Sequence, residues 1–311
     1  MPSTMTHAYM AHDIFNNLND NLKEKFKPRL GEYLTYSQGA DILYFYPIIP
    51  PFIKCFYIKR LAGVVHRQKV NKFFISLVKE VKKDKKIDKF IWLSGLVTHY
   101  VGDSICHPFV NYKEYDMRLK TNKKKDYHFL TEAYIDNYIL NLKGEYYKTF
   151  KGYDILKTRK NKNIENMLDK CFLEIFNEKN MGKIYFKSLR NMRFLFNIIR
   201  YDPYKIKRIF YSILYFFLPF LYRDIRFFSY HFNLNEKDNN YFLNLNHDIW
   251  FNVRKKDVIY TKSFIDLYKE VIVKGTHMIE ILYDYIYNDK PLDLEKFFGN
   301  LSYANGLPIK E

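Results

Sequence analysis

Apolar residues recur in this chain at three- and four-residue spacing almost from end to end, and that period is helical. No strand-turn-strand signature interrupts it. The reading is an all-α protein with helices over roughly 7–20, 32–46, 58–82, 87–107, 127–142, 163–177, 183–200, 204–222 and 260–288. Proline punctuates the pattern, because its ring removes a backbone donor and clashes with the preceding turn. Pro47, Pro50 and Pro51 are expected to end the second helix, and Pro108 the fourth. Asp126 is placed to cap the fifth. The lysine run at 120–125 and the Asn-rich segment 232–246 read as loops. Neither a repeat nor a linker appears. A single multi-helix domain over 1–311 is therefore expected, with an N-terminal half, 1–142, and a C-terminal half, 143–311.

The formal charge is +17, but residues 1–140 hold 22 Lys/Arg against 14 Asp/Glu and the remainder 29 against 20. The surplus is thus spread rather than gathered into a basic tail of the kind nucleic-acid and membrane binders carry. Lys, Asn, Ile, Tyr and Phe are all over-used, the pattern an AT-rich genome produces. The three cysteines, Cys55, Cys106 and Cys171, form no Cys-x-x-Cys pair and are odd in number, which argues against a disulfide scaffold and fits a reducing compartment. The N-terminal residues lack a basic region followed by an apolar one. The longest apolar run, 209–222, contains Pro219 and falls short of the ~20 residues a spanning helix needs. The expected location is the cytoplasm.

Chemistry concentrates in the first half, where six of the nine histidines fall by position 128. The stretch THYVGDSICHPFV places His99, Asp103 and His107 four residues apart. Such residues are offset by only about 40° around a helix, so all three project to one side, where Gly95, Gly102 and Ser104 leave room. The next helix repeats the device in His128 and Glu132. One His-x-x-x-Asp pair is common by chance on a solvated helix face. Two such pairs, with a further histidine at the helix end, bring a metal site level with the solvated-face reading. Imidazole and carboxylate suit zinc. Asp41 in QGADILYFYP and His66 in AGVVHRQ lie in apolar, Gly-containing stretches, where an unpartnered charge would be costly.

The ordered series THAYMAHDIF, QGADILYFY, GVVHRQ, THYVGDSICHPFV and YHFLTEAYID resembles the bacterial zinc-dependent phospholipase C family, which is akin to the single-strand-specific zinc nucleases. The resemblance covers about residues 1–140, with a weaker echo at LNLNHDIWFN, 243–252. It implies an all-helical fold and two to three zinc ions. His66, His99, Asp41 and Asp103 would hold one ion, and His107, His128 and Glu132 a second. Asp103 would bridge to a third, which His7 also binds. In the family that third ion is chelated by the first residue, a tryptophan exposed by signal-peptide removal. This sequence departs there. Removal of Met1 would expose Pro2, whose amine and carbonyl would then take that role; the alternative is a frayed terminus. His12 is read as a surface histidine. His247 is given a structural role near the cleft, and Asp136 either a hydrogen bond to a ligand imidazole or a solvated position.

The implied activity is zinc-dependent phosphodiester hydrolysis of the phospholipase C type, with Asp41 both a ligand and the base that orients the attacking water. In the phospholipase branch, aromatic residues beside that aspartate and before the next histidine help to hold choline. Ile42 and Gly63 stand there, so choline selectivity is not implied. Two other readings stand beside this one. The first is a nuclease-like phosphodiesterase acting on single-stranded nucleic acid. The second is a non-catalytic helical zinc protein whose sites are closed. The partners to expect are a phospholipid or other phosphodiester and a membrane surface, the latter touched by the apolar 209–222 segment if that segment is not core.

Overall fold

The computed structural model describes residues 4–47, 53–121, 127–145, 154–198 and 234–309, together with Ile206, Ile209 and Ile213. It is all-α apart from one small hairpin. The helices are α1 (Thr4–Asn17), α2 (Asp20–Phe26), α3 (Leu30–Tyr36), α4 (Ile53–Val65), α5 (Val70–Asp84), α6 (Ile87–Thr121), α7 (Tyr127–Leu142), α8 (Lys162–Phe176) and α9 (Met181–Ile198). The C-terminal part adds α10 (Asn239–Leu243), the strands β1 (Trp250–Asn252) and β2 (Lys255–Tyr260), α11 (Phe264–Tyr287) and α12 (Leu294–Phe298). No helix among the described residues is long and apolar enough to cross a membrane.

The 35-residue α6 is the axis of the molecule. Its residues from Asp88 to Val110 are buried at nearly every position, as expected of a helix enclosed on all sides. α3, α7, α8 and α11 pack along it, and α1 lies across α3, α7 and α11. The outer helices are amphipathic. α5 buries Val70, Phe73, Phe74, Leu77, Val78 and Val81, an i, i+3/i+4 stripe, and keeps Lys82 and Lys83 in its last turn, where cations complement the helix dipole. α11 starts in a capping box, with the Ser263 hydroxyl accepting from the Asp266 N–H and the Asp266 carboxylate accepting from the Ser263 N–H.

Several expected boundaries move. The helix read over 32–46 ends at Tyr36; Gly39, at φ +53°, then turns the chain into a 3-10 segment, Gly39–Phe45, that carries Asp41. The long helix read over 58–82 is two helices, α4 and α5, broken where Lys69 takes a left-handed φ of 53°. Pro108 does not end its helix, which runs on to Thr121. An internal proline costs about 3 kcal/mol, and burial of Phe109, Val110 and Lys113 beyond it offsets that loss. The segment 232–246 is not wholly loop, since a 3-10 turn, Glu236–Asp238, leads into α10. The reading of no hairpin is also corrected. β1 and β2 pair antiparallel, with Trp250 stacked on Tyr260 at 4.3 Å and set edge-on against Phe109 at 5.3 Å. This hairpin lacks the Asn-Gly type of pair that normally signals one; aromatic packing and an Asx turn, in which Asn252 Oδ1 accepts from the Arg254 N–H at 3.0 Å, make it instead. The helix read over 204–222 lies mostly outside the described residues, as do Asp126, Pro2 and His231.

Candidate metal centre

Three elements aim four ligand residues at one buried point. His7 comes from α1, Asp41 from the 3-10 segment, and His99 and Asp103 from α6. One ligand atom from each of these four lies within 4.8 Å of every other, and all four residues are buried. Asp103 sits in the middle. Its Oδ1 is 3.2 Å from His7 Nε2, and its Oδ2 is 3.4 Å from His99 Nε2 and 3.7 Å from His107 Nδ1. His66, just past the end of α4, joins from the side. Its Nε2 is 3.1 Å from Asp41 Oδ1 and 3.4 Å from His99 Nε2. A second group follows along α6. His107, His128 and Glu132 also offer atoms within 4.8 Å of one another, and His128 Nε2 lies 3.0 Å from Glu132 Oε1.

The local sequence builds this closeness. Gly39 is required both by its positive φ and by space, since a Cβ there would lie 2.3 Å from the His99 ring. Gly95 lets the Tyr36 backbone approach α6, where a Cβ would meet its carbonyl carbon at 2.6 Å. Gly102 faces Met10 and the His7 ring. The room expected beside the His-Asp-His face is therefore filled by α1 and α3 rather than left open.

Both ring nitrogens of His7, both carboxylate oxygens of Asp41 and Asp103, and His99 Nδ1 are buried without a hydrogen bond. Buried polar atoms without such partners are rare in folded proteins, and several converging on one point is what a cation supplied with imidazole and carboxylate donors requires. The two outlying imidazoles are oriented from behind. His66 Nδ1 bonds the Ala62 carbonyl at 2.7 Å, and His107 Nδ1 bonds the Tyr303 carbonyl. With Nδ1–H as donor in each ring, both Nε2 atoms keep their lone pairs, the arrangement seen behind metal-bound histidines.

Burial governs two of the imidazoles. Burial pushes His107 down to about 3 and His99 well below the usual imidazole range, so both are neutral and able to donate lone pairs. The two carboxylates diverge. Burial raises Asp41, with the Asp103 charge adding to it against the pull of His66. Asp103 goes well below the carboxylate range because His107, His99 and His7 outweigh its own burial.

The remaining expectations divide. His12 is half-buried at the surface, near Asn16 and Asp13. His247 is away from the centre, in a turn at φ +58° and 3.4 Å from Asp266; in the same segment it is Asn244 and Trp250 that are buried. His277 is exposed. Asp136 is buried and accepts hydrogen bonds from Thr6 and Met5 at the start of α1. The solvated position offered for it is thus excluded, and these bonds tie it to the head of α1. Sequence reasoning missed two residues. Glu114 lies 3.2 Å from His128 Nδ1, and its place two turns beyond His107 on the same face was a usable signal. Tyr303 gave no signal at all, because its backbone makes the contact.

Residues 6–182 match the family model described as zinc dependent phospholipase C. Among curated proteins and among solved structures, none matches the chain.

Proposed function

The chain belongs to the zinc-dependent phospholipase C family, and from that premise we propose that it is a zinc-dependent phosphodiester hydrolase whose substrate is a phospholipid. The convergence of His7, Asp41, His99 and Asp103 beside the His107–His128–Glu132 group carries the reading. Two such groups support two ions. A third ion would draw on His7, Asp103 and Pro2, the last outside the described residues. Residues 1–142 and 143–311 are read as one working unit, because α11 packs along α6.

Zinc, when bound, lowers the pKa of a water toward neutrality and stabilises charge on a phosphoryl oxygen. The protein's own part is positioning and proton handling. Asp41 is the candidate base: its raised pKa brings it closer to working pH, and a carboxylate can ligate through one oxygen while the other accepts a proton. His66, fixed by Ala62, turns its Nε2 to within 3.1 Å of Asp41, where one ion would draw on both. Asp103, held ionised, supplies the negative charge that binding of cations requires. At the two positions beside Asp41 and before His66, Ile42 is buried in the core and Gly63 lies beneath the Tyr44 hydroxyl. Selectivity for choline is not part of the proposal.

The test pairs metal analysis with hydrolysis of phospholipid and of single-stranded DNA by the wild type and by Asp41→Asn. Phospholipid turnover lost in the variant while zinc is retained supports the reading. Equal turnover by both proteins refutes the base role, and turnover of DNA alone replaces the substrate class.

A further inference from the structure

The matched family region ends at residue 182, yet a segment more than a hundred residues later closes over both ligand groups. Residues 299–309 form a compact turn. The Ser302 N–H donates to the Leu307 carbonyl and the Gly306 N–H to the Ser302 carbonyl, both at 2.9 Å. The Asn300 and Ile309 backbones bond each other at 2.9 Å. Three further elements tie the turn down. Asn71 exchanges hydrogen bonds with Asn300, Asn111 Nδ2 donates to the Ala304 carbonyl at 2.7 Å, and Asn252 Nδ2 donates to the Asn305 carbonyl at 2.9 Å.

At the centre of the turn, Tyr303 touches both groups through its own peptide units. Its N–H donates to the His66 carbonyl at 3.0 Å, and its carbonyl accepts from His107 Nδ1. Its ring is buried edge-on against His66 and His99, with centroids at 5.0 and 5.8 Å. Gly306 sets how close the turn can come. It has φ +66°, and a Cβ there would lie 2.3 Å from the Ser104 carbonyl oxygen on α6. That carbonyl is the one that the ring nitrogen of Pro108 cannot serve in the α-helical pattern.

We propose that the 299–309 turn is a clasp in which Tyr303 is a positioning residue for both ligand groups, fixing His66 and His107 together so that the two halves of the metal centre load as a unit. The inference rests on the metal-centre reading above. Outer partners of ligand histidines set ring orientation and tautomer, and their loss typically lowers metal affinity about 10–100-fold. Tyr303 holds His107 at the ring and His66 at the backbone carbonyl, with its own ring against the His66 imidazole, so one displacement should make that loss appear in both groups at once.

The full-length protein carrying Gly306→Ala tests this, because the added methyl must move the clasp backbone off α6. Two partners accompany it. Gly182→Ala introduces a Cβ 2.4 Å from the Glu165 carbonyl oxygen and so disturbs packing away from the centre. The wild type gives the reference. Competition with a zinc chelator measures affinity, and ¹⁵N-histidine NMR of the metal-free protein reports the tautomer of each ring. The expected result is affinity lowered about tenfold or more at both groups in Gly306→Ala, loss of the Nδ1–H signature of His107, and wild-type behaviour in Gly182→Ala. Unchanged tautomer and unchanged affinity in Gly306→Ala overturn the clasp, as does an equal loss in Gly182→Ala. A wild type that binds no zinc while Gly306→Ala still loses the His107 signature sinks the metal reading and leaves Tyr303 as the residue that orients that ring.

Discussion

Asp136 Oδ1 accepts hydrogen bonds from both the backbone N–H of Thr6, at 2.9 Å, and its hydroxyl, at 2.6 Å, one residue before His7. A carboxylate on α7 thus anchors the first turn of α1 and with it the position of a candidate ligand. Asp136→Ala leaves a buried N–H and a buried hydroxyl without this acceptor, which typically costs about 1–3 kcal/mol. A lower melting temperature is expected, together with weaker metal retention. Unaltered thermal unfolding would contradict the anchoring role.

Asp41→Asn keeps the shape and one potential ligand oxygen but removes the proton acceptor. Turnover should fall about 10²–10⁴-fold, the range for loss of a general base, with zinc content near that of the wild type. A fall in activity that tracks loss of zinc would mean that Asp41 is a ligand and nothing more.

Metal removal should destabilise the fold as well as silence it. The buried nitrogens of His7 and oxygens of Asp41 and Asp103 have no hydrogen bonds to fall back on. A ligand held only by the native state adds stability that grows with its concentration, about 2.7 kcal/mol at a hundred times Kd. Melting temperature should therefore climb with added zinc after chelator treatment. A melting curve indifferent to zinc counts against the centre.

Asp13 offers a pH test away from the ligands. Burial acts to raise its pKa, but hydrogen bonds from His12, Lys143 and Tyr268 bring it down to about 2. A carboxylate whose folded pKa is depressed contributes stability that is present above its unfolded pKa and lost as pH falls through the folded one. The stability gap between wild type and Asp13→Asn should therefore be full at neutral pH and close between about pH 4 and pH 2. A gap that widens on acidification would reverse the assigned sign. Urea titrations across that range decide it.

Lipid contact can be checked at the start of α4. Ile53, Phe56 and Tyr57 are 78, 52 and 48 % exposed, and Lys54 and Arg60 are exposed among them. Apolar residues interleaved with basic ones suit an anionic bilayer surface. Phe56→Asp should reduce sedimentation with anionic vesicles while leaving hydrolysis of a soluble short-chain phosphodiester intact. Equal sedimentation of both proteins would remove this surface from consideration.

The ligand pattern and the helical class were legible because both are local. A four-residue spacing fixes a shared helix face whatever the rest of the chain does, so His99–Asp103–His107 and His128–Glu132 could be read directly. Boundaries set by tertiary contacts could not. Pro108 reads locally as a stop, yet the burial of Phe109 and Val110 carries the helix past it. Gly39 reads as flexible, whereas the His99 ring is what demands it. Tyr303 was invisible because peptide groups, which every residue has, make its contacts with His66 and His107.

α6 has a further consequence, which follows from its carrying ligands for both groups. His99 and His107 are joined by two unbroken helical turns, so their Cα atoms stand about 12 Å apart along one axis, a value set by the 1.5 Å rise per residue rather than by how neighbouring elements dock. Loops elsewhere can lengthen or shorten without altering that gauge. Inserting a single residue between Asp103 and His107 would swing everything beyond it by about 100° and aim His107 away from His128, so this stretch admits substitutions but not changes in length.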